Sequence, residues 1–234
     1  MIKRILYTLL IMFPVVASAQ INTDRVMAIG RNALYFEDYV LSIQYFNQVI
    51  NAKPYLSDPY FYRGLAKINL DDFQGAESDC SEAIERNPFV VSAYQVRGLA
   101  RIQQNNFAGA IEDYTKALEF DPENIGVWHN MALCRIRQED YKGAKNDLDK
   151  LIAISPRYTK AYLMRGEGDL KQKDTLAAEK DFGKAIEIDR YDADPWASRA
   201  ILRLQQQRYK DAEADFDHAI RLSTRNSGVY INRA

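Results

Sequence analysis

The sequence predicts an all-α solenoid built from repeated pairs of antiparallel helices. Two observations carry this prediction. Prolines recur every 34 residues, at Pro54, Pro88, Pro122 and Pro156. Within each interval, apolar residues recur every three or four positions, which is the spacing of one face of an amphipathic helix. A repeat of 20 to 50 residues made of two such helices indicates stacked structural units rather than one globular core.

Several columns of equivalent residues share the 34-residue interval. The small-residue column is Gly30, Gly64, Gly98, Ala132, Gly166, Ala200 and Ala234. The second-helix column is Ser42, Ala76, Ala110, Ala144, Ala178 and Ala212. The largely aromatic column is Val26, Tyr60, Tyr94, Trp128, Tyr162, Trp196 and Tyr230. Small residues allow two helix backbones to approach closely, and the aromatic rings fill the remaining space.

The helix ends are also marked in the sequence. Short polar turns such as Asp71-Asp72 separate the two helices of a unit, and a proline such as Pro88 ends the second helix because it lacks an amide proton. Asp58 and Asp194 each precede a proline, which predicts that each aspartate caps a helix N-terminus.

These columns resemble the tetratricopeptide repeat, a 34-residue helix-turn-helix unit with small, alanine, aromatic and proline signposts. The resemblance implies a right-handed superhelical solenoid. The repeats span about 23–56, 57–90, 91–124, 125–158, 159–192 and 193–226, with the start of a seventh at 227–234. The family's usual tyrosine late in the first helix is replaced by Ala33, Lys67, Arg101, Arg135, Asp169 and Arg203. We expect these replacements to change the surface chemistry and not the fold.

The N-terminus is typical of a bacterial signal peptide. Lys3 and Arg4 precede an apolar run over residues 5–17, and the small residues at 17–19 predict cleavage before Gln20. The apolar run is shorter than the roughly 20 residues that a membrane span needs, so no stable membrane insertion is expected after cleavage. The predicted domains are a signal peptide over 1–19 and the solenoid over 20–234. We therefore expect export across the inner membrane to a periplasmic or envelope-associated location.

Charge and cysteine content narrow the possible partners. The formal net charge of -1 gives no support for nucleic acid as a partner. Cys80 and Cys134 lie a whole repeat apart, too far for the alpha carbons of a disulfide, and are expected to be small apolar core residues.

A charge pair recurs within the repeats. An arginine precedes the small residue in four repeats, and an aspartate follows it 16 positions later. The pairs are Arg63 with Asp79, Arg97 with Asp113, Arg165 with Asp181, and Arg199 with Asp215. The first repeat has Ile29 and Tyr45 instead, and the fourth has Met131 with Asp147, and Arg135 one turn later. We interpret the pair as a bridge between the two helices of a repeat, the alternative being a ladder of ligand-binding arginines.

No combination of residues predicts catalysis, a metal site or a cofactor. His129 and His218 have no companion histidine or cysteine at metal-ligand spacing, since Cys134 is poorly placed to share a helical face with His129. No nucleophile elbow or glycine-rich phosphate loop is present. We therefore expect the chain not to be an enzyme.

The resemblance implies that function lies in the concave groove lined by the first helix of each repeat. The residues expected to face it are Phe61, Tyr62, Leu65, Gln95, Leu99, His129, Asn130, Lys160 and Met164, with Met27, Arg31, Leu133 and Glu167 also on this face. Exposed aromatic residues in a groove suit a peptide or protein ligand. The alternative is that Phe61, Leu65 and Leu99 pack against neighbouring helices and expose little.

One known ligand mode of the family, a carboxylate clamp for chaperone tails, does not fit. The equivalent positions hold Gln95, Leu99, Asn130, Lys160 and Met164, of which two match the clamp. The sequence leaves two functions open: a protein-interaction scaffold of the cell envelope, or a non-catalytic targeting or regulatory arm of a larger envelope protein or enzyme. Because the repeat pattern is still running at Ala234, we expect the native chain to continue, and we consider self-association through an uncapped solenoid end possible.

Overall fold

A computed structural model describes residues 22–226 of the chain, with side chains described up to residue 223. The predicted signal peptide and the start of a seventh repeat lie outside these residues. The described part contains helices and no strand, and it confirms the predicted all-α solenoid. The helices are α1 (Thr23–Tyr35), α2 (Tyr39–Ala52), α3 (Asp58–Ile68), α4 (Phe73–Arg86), α5 (Val91–Gln103), α6 (Phe107–Phe120), α7 (Ile125–Arg137), α8 (Tyr141–Ile154), α9 (Thr159–Lys171), α10 (Thr175–Ile188), α11 (Ala193–Gln205) and α12 (Tyr209–Asn226).

The helices stack in chain order, each against the helix before and after it. We call the odd-numbered helices the first helices and the even-numbered ones the second helices, as each repeat contains one of each. First helices of neighbouring repeats also contact each other, as α1 with α3, α3 with α5 and α9 with α11. No pair of second helices has comparable contact among the described residues. The first helices therefore lie on the inner side of the stack, and we call the surface they form the groove.

Close approach within a repeat depends on the small column. A Cβ atom added to Gly98 would lie 2.8 Å from the ring of Tyr114 on the second helix. A Cβ atom added to Gly30 would lie 2.7 Å from the ring of Phe46, and one added to Gly166 would lie 2.7 Å from the ring of Phe182. A larger residue at these positions would push the two helices apart, because a close-packed interior has no spare volume for it.

The turns inside the repeats share one geometry. Six non-glycine residues, spaced 34 apart, have φ between 59° and 64°: Glu37, Asp71, Asn105, Glu139, Lys173 and Gln207. In five of these turns the next residue caps the second helix, as where the Asp72 carboxylate accepts a hydrogen bond from the Gly75 backbone amide at 2.9 Å. This cap satisfies an amide that the helix itself leaves without a partner.

The N-caps expected before the two prolines are displaced. Asp58 is the first residue of α3 and Ser57 is its cap, while Asp192 caps α11 by accepting from the Asp194 amide. The predicted role was wrong because an aspartate can stabilise a helix N-terminus from its first turn as well as from the cap.

Both cysteines are buried core residues, as predicted. Cys80 packs with Tyr60 and Ala83 between the second and third repeats, and Cys134 packs with Tyr94 and Tyr114 one repeat further on. Their thiols are not joined. Burial raises the pKa of Cys80 to about 12 and that of Cys134 to about 11, so both remain protonated at neutral pH.

The recurring charge pair bridges the two helices of each repeat that contains it. Arg97 donates from Nε and Nη2 to the Asp113 carboxylate, which is 2% exposed, at 2.7 to 3.1 Å. The free end of the guanidinium donates to the preceding second helix, at the Ser81 hydroxyl. Arg63 reaches Asn47 and Arg165 reaches Asp149 in the same way. Because these arginines are committed to bonds between helices, the structure favours the structural interpretation over the ligand ladder.

The residues that replace the family's usual tyrosine were expected to change only the surface chemistry, and for three of them this expectation was wrong. Lys67, Arg101 and Arg203 supply a second cation to the buried carboxylates, with Lys67 Nζ 2.8 Å from Asp79 and Arg101 Nη1 3.1 Å from Asp113. The sequence carried the signal, because Arg97 and Arg101 lie four residues apart and so share one helical face.

The same position also links neighbouring repeats through pairs 24 residues apart. Glu77 in α4 accepts from Arg101 in α5, and Glu179 in α10 accepts from Arg203 in α11. Between α8 and α9 the signs are exchanged: Lys145 Nζ lies 2.8 Å from the buried carboxylate of Asp169. Because both charges are exchanged, the two helices still meet through opposite charges. This explains why Asp169 stands at a position where most other repeats have lysine or arginine.

Candidate functional site

The candidate site is the groove, which presents two rows of apolar side chains from successive first helices. One row contains Leu65, Leu99, Leu133 and Ile201, and the other, one turn further along each helix, contains Ile68, Ile102, Ile136 and Leu170. All are partly or fully accessible. Residues three positions apart lie on one helical face, so the two rows lie side by side along the groove, and Glu167 interrupts the first row on α9.

At the N-terminal end of the groove, aromatic rings form a cluster. The ring of Tyr62 stacks on Phe46 at 5.7 Å, and the Phe61 ring lies 5.0 Å from it. The guanidinium of Arg31 lies 5.8 Å from the centre of the Tyr62 ring. Phe61 and Leu65 also pack on the core between the second and third repeats, so the packing alternative accounts for part of their surface.

In the middle of the groove, the polar residues face different neighbours. The His129 ring meets Tyr158 edge-on, with Nδ1 3.4 Å from the tyrosine hydroxyl. Burial, and then the charge of Lys160, lower the pKa of His129, which is therefore neutral at pH 7. Asn130 faces the core: burial raises the pKa of Tyr114 and the Asn130 amide opposes that rise, although the tyrosine hydroxyl makes no well-aligned hydrogen bond.

The remaining predicted residues differ in exposure. Leu99 is 37% exposed and Gln95 is partly buried. Lys160 is exposed near the start of α9, whereas Met164 packs on the core between the fourth and fifth repeats. The nine predicted residues therefore lie on four neighbouring first helices, α3, α5, α7 and α9, and do not converge on one point.

Sequence reasoning missed a pocket at the C-terminal end of the groove. We call it the C-terminal pocket. It has a volume of about 570 Å³ and is lined by Ile136, Tyr141, Glu167, Gly168, Leu170, Lys171, Lys173, Ser198, Ile201 and Gln205. Its size lies within the range of about 300 to 1,000 Å³ typical of small-molecule binding pockets. Glu167 was assigned to the groove from the sequence, but the pocket beside it forms only when α7, α9 and α11 are brought together.

The described residues offer no alternative centre of metal chemistry. Over residues 22–226, no group of three or more histidine, cysteine, aspartate or glutamate side chains could hold a metal ion. Over the same residues, no helix has the length and apolar character needed to cross a membrane.

Two family models match parts of the chain. A family model described as "TPR repeat" matches residues 98–134, and one described as "Tetratricopeptide repeat" matches residues 125–158. No curated protein sequence matches the chain.

Solved structures show the same fold at low sequence identity. The C-terminal part of a TPR repeat-containing protein from Cytophaga hutchinsonii is 16% identical, with a TM-score of 0.75 over 86% of this chain and 80% of that one. MamA from Desulfovibrio magneticus RS-1 is 17% identical, with a TM-score of 0.68 over 72% and 95%. YrrB, described as a TPR protein with an unusual peptide-binding site, is 19% identical, with a TM-score of 0.63 over 76% and 91%.

Proposed function

We propose that this solenoid is a scaffold of the bacterial cell envelope that binds peptide or protein partners in its groove. The family models and the solved structures support its assignment to the tetratricopeptide repeat family. The observation that carries the proposal is the double row of accessible apolar side chains along successive first helices. An apolar surface of this length suits a peptide segment better than a small ligand.

The distribution of charge supports the same function. The arginines and aspartates are largely engaged with each other between the helices, so the groove is lined mainly by apolar and neutral side chains. Such a surface gains binding energy from burial of apolar area, with the polar residues at its edge contributing to selectivity. The proposal assigns no catalytic step to the chain. YrrB, described as a TPR protein with an unusual peptide-binding site, has a similar fold and is consistent with this function.

The location is part of the proposal and has its own test. Expression of the whole chain in a bacterium, followed by fractionation and mass spectrometry of the purified protein, should find a periplasmic or envelope-bound form that begins at Gln20. A cytoplasmic protein that retains residues 1–19 would contradict the proposed location and leave the groove hypothesis standing.

The binding function is tested by affinity capture from an envelope extract, with identification by mass spectrometry. The groove variant combines Tyr62→Ala, Gln95→Ala and Lys160→Ala. A matched control changes three exposed residues of second helices: Glu112→Ala, Lys150→Ala and Lys180→Ala. Partners that are lost with the groove variant and kept with the control would support the groove. Partners kept equally by both would show that binding occurs on another surface.

A further inference from the structure

The C-terminal pocket is a part of the groove that is both deep and lined by charged side chains. Its floor is formed by apolar side chains from three first helices, with Ile136 on α7, Leu170 on α9 and Ile201 on α11, and by the ring of Tyr141. Ile201 is 47% exposed, so this floor is accessible from the groove. An apolar hollow of this kind binds a large apolar side chain of a ligand.

The depth of the pocket results from a glycine. At the position of Gly168, the neighbouring repeats carry Cys134 and Leu202. A Cβ atom added to Gly168 would meet only the Tyr141 ring, at 3.9 Å, which is ordinary contact distance. The position therefore has open space in front of it, unlike Gly98 or Gly166, which are tight against a neighbouring ring.

The charge comes from the residue before this glycine. Glu167 stands where Leu99, Leu133 and Ile201 stand in other repeats, so it interrupts the apolar row. Desolvation and then the charge of Asp194 raise the pKa of Glu167, and Lys171, one turn away, only partly opposes this. The Glu167 side chain is exposed and makes no hydrogen bond or ion pair with the described residues, so its carboxylate is accessible to a ligand.

The two lysines at the rim do not offer an equivalent site for an acidic ligand. Lys171 and Lys173 are exposed, as Glu167 is, but they lie a turn or more beyond the apolar row in which Glu167 stands. An acidic ligand would also face Glu167 and Asp194. A cation placed beside Glu167, in contrast, would also be attracted by Asp194, whose charge acts on the same carboxylate.

We infer that the C-terminal pocket accepts a large apolar side chain of a partner protein's segment, and that Glu167 pairs with an arginine or lysine next to that side chain. This inference rests on the proposed function, because it describes the ligand of the same groove. It specifies a feature that the groove alone does not imply: a basic residue beside the apolar anchor of the partner.

The test begins with selection of a random dodecapeptide phage library on the purified chain. Recovered peptides should be enriched in arginine or lysine adjacent to leucine, isoleucine, phenylalanine or tryptophan. One such peptide is then synthesised, together with a version carrying glutamate in place of its basic residue, and the dissociation constants are measured by fluorescence anisotropy.

The charge is tested by reversal. With Glu167→Lys, the basic peptide should bind at least tenfold more weakly, and the glutamate peptide should bind more tightly than it does to the unchanged protein. Glu167→Gln should give an intermediate loss. The control Glu112→Lys, at an exposed site on α6, should leave both dissociation constants within twofold.

The pocket is tested by filling it. Gly168→Leu should weaken the basic peptide by at least tenfold. Gly183→Leu is the matched control: this helical glycine, on α10, also has only one neighbour within reach of an added Cβ, Arg199 at 3.9 Å, and lies outside the C-terminal pocket. Circular dichroism should show that both variants keep the helical content of the parent.

The outcomes separate this inference from the proposed function. If the recovered peptides bind the groove, but show no basic enrichment and tolerate Glu167→Lys within twofold, the inference is wrong and the groove remains a peptide-binding surface. If no recovered peptide loses affinity for the Tyr62, Gln95 and Lys160 variant or for Gly168→Leu, the inference and the groove function are both wrong.

Discussion

Asp147 offers a strict test of the charge ladder, because it is the one aspartate of this column whose arginine is missing. Met131 occupies the place of that arginine, and Asp147 is only 5% exposed. Its cation is Arg135, whose Nε lies 2.7 Å from Asp147 Oδ2, yet neither atom has a well-aligned hydrogen bond. Burial, opposed by Arg135, raises the pKa of Asp147 to about 6 from its ordinary value of 3.8.

We predict that Met131→Arg stabilises the protein above pH 6, although an arginine in place of a buried methionine would ordinarily destabilise it. Arg97 shows the bonds that the new side chain should form, to an aspartate 16 residues later and to a hydroxyl 16 residues earlier. At residue 131 the corresponding groups are Asp147 and Thr115, whose hydroxyl already lies 3.9 Å from the Met131 sulfur.

The magnitude follows from the pKa of Asp147. A rise from 3.8 to about 6 corresponds to about 3 kcal/mol, at about 1.4 kcal/mol per pKa unit. Because the folded pKa is raised, this loss of stability is absent below pH 4, develops between about pH 4 and 6, and is complete above the folded pKa. An arginine at residue 131 would lower the pKa of Asp147 in the folded protein and so remove this loss of stability. The desolvation of the arginine itself would offset part of the gain. We expect a gain of about 2 kcal/mol at pH 8 and little or none at pH 4.5.

The assay is urea unfolding followed by far-UV circular dichroism from pH 4.5 to 8, since urea adds no ions that would screen the pair. The control is Ile29→Arg, at the same position of the first repeat, where Tyr45 stands in place of the aspartate. It should not stabilise the protein at any pH. If Met131→Arg is less stable than the parent at pH 8, or if its difference from the parent does not change with pH, the reasoning about Asp147 is wrong.

Three further predictions concern the core. Arg97→Ala should lower the free energy of unfolding by about 3 kcal/mol, because it leaves the buried Asp113 carboxylate with one weaker partner, while the affinity of a groove ligand stays within twofold; an unchanged urea midpoint would contradict this. Gly98→Ala should destabilise the protein by about 1 to 3 kcal/mol in thermal unfolding, because the new methyl group would collide with Tyr114, and a melting temperature at or above that of the parent would exclude the collision. Cys80, whose burial raises the pKa to about 12, should react with a thiol reagent at pH 7 only after denaturation, whereas rapid labelling of the native protein would show that the thiol is accessible.

Much of the architecture could be predicted because the contacts that hold each repeat together are made within that repeat. The two helices of a repeat are joined by a short turn, and the residues that hold them together lie 16 positions apart in the chain. The pair of Arg97 and Asp113 was therefore visible as a recurring spacing. The positions of the groove residues were accessible for the same reason, since one helical face repeats every three or four residues.

The contacts between repeats were harder to predict. Arg101 meets Glu77 in the preceding repeat, and Lys145 meets Asp169 in the following one. Each pair lies 24 residues apart, but the signs are exchanged between α8 and α9, so a search for equal residues at equal places finds only the pairs of Glu77 with Arg101 and Glu179 with Arg203.

The sequence by itself determined the class of fold and the length of the repeat, because both depend on periodicity along the chain. The same periodicity predicted which face of each first helix lines the groove. Only the tertiary structure decided that one part of the groove is a pocket. The C-terminal pocket needs Ile136, Gly168 and Ile201 from three different helices, and its depth depends on how closely those helices approach. Distances between helices are set by the packing of whole side chains in three dimensions, which a one-dimensional pattern does not contain.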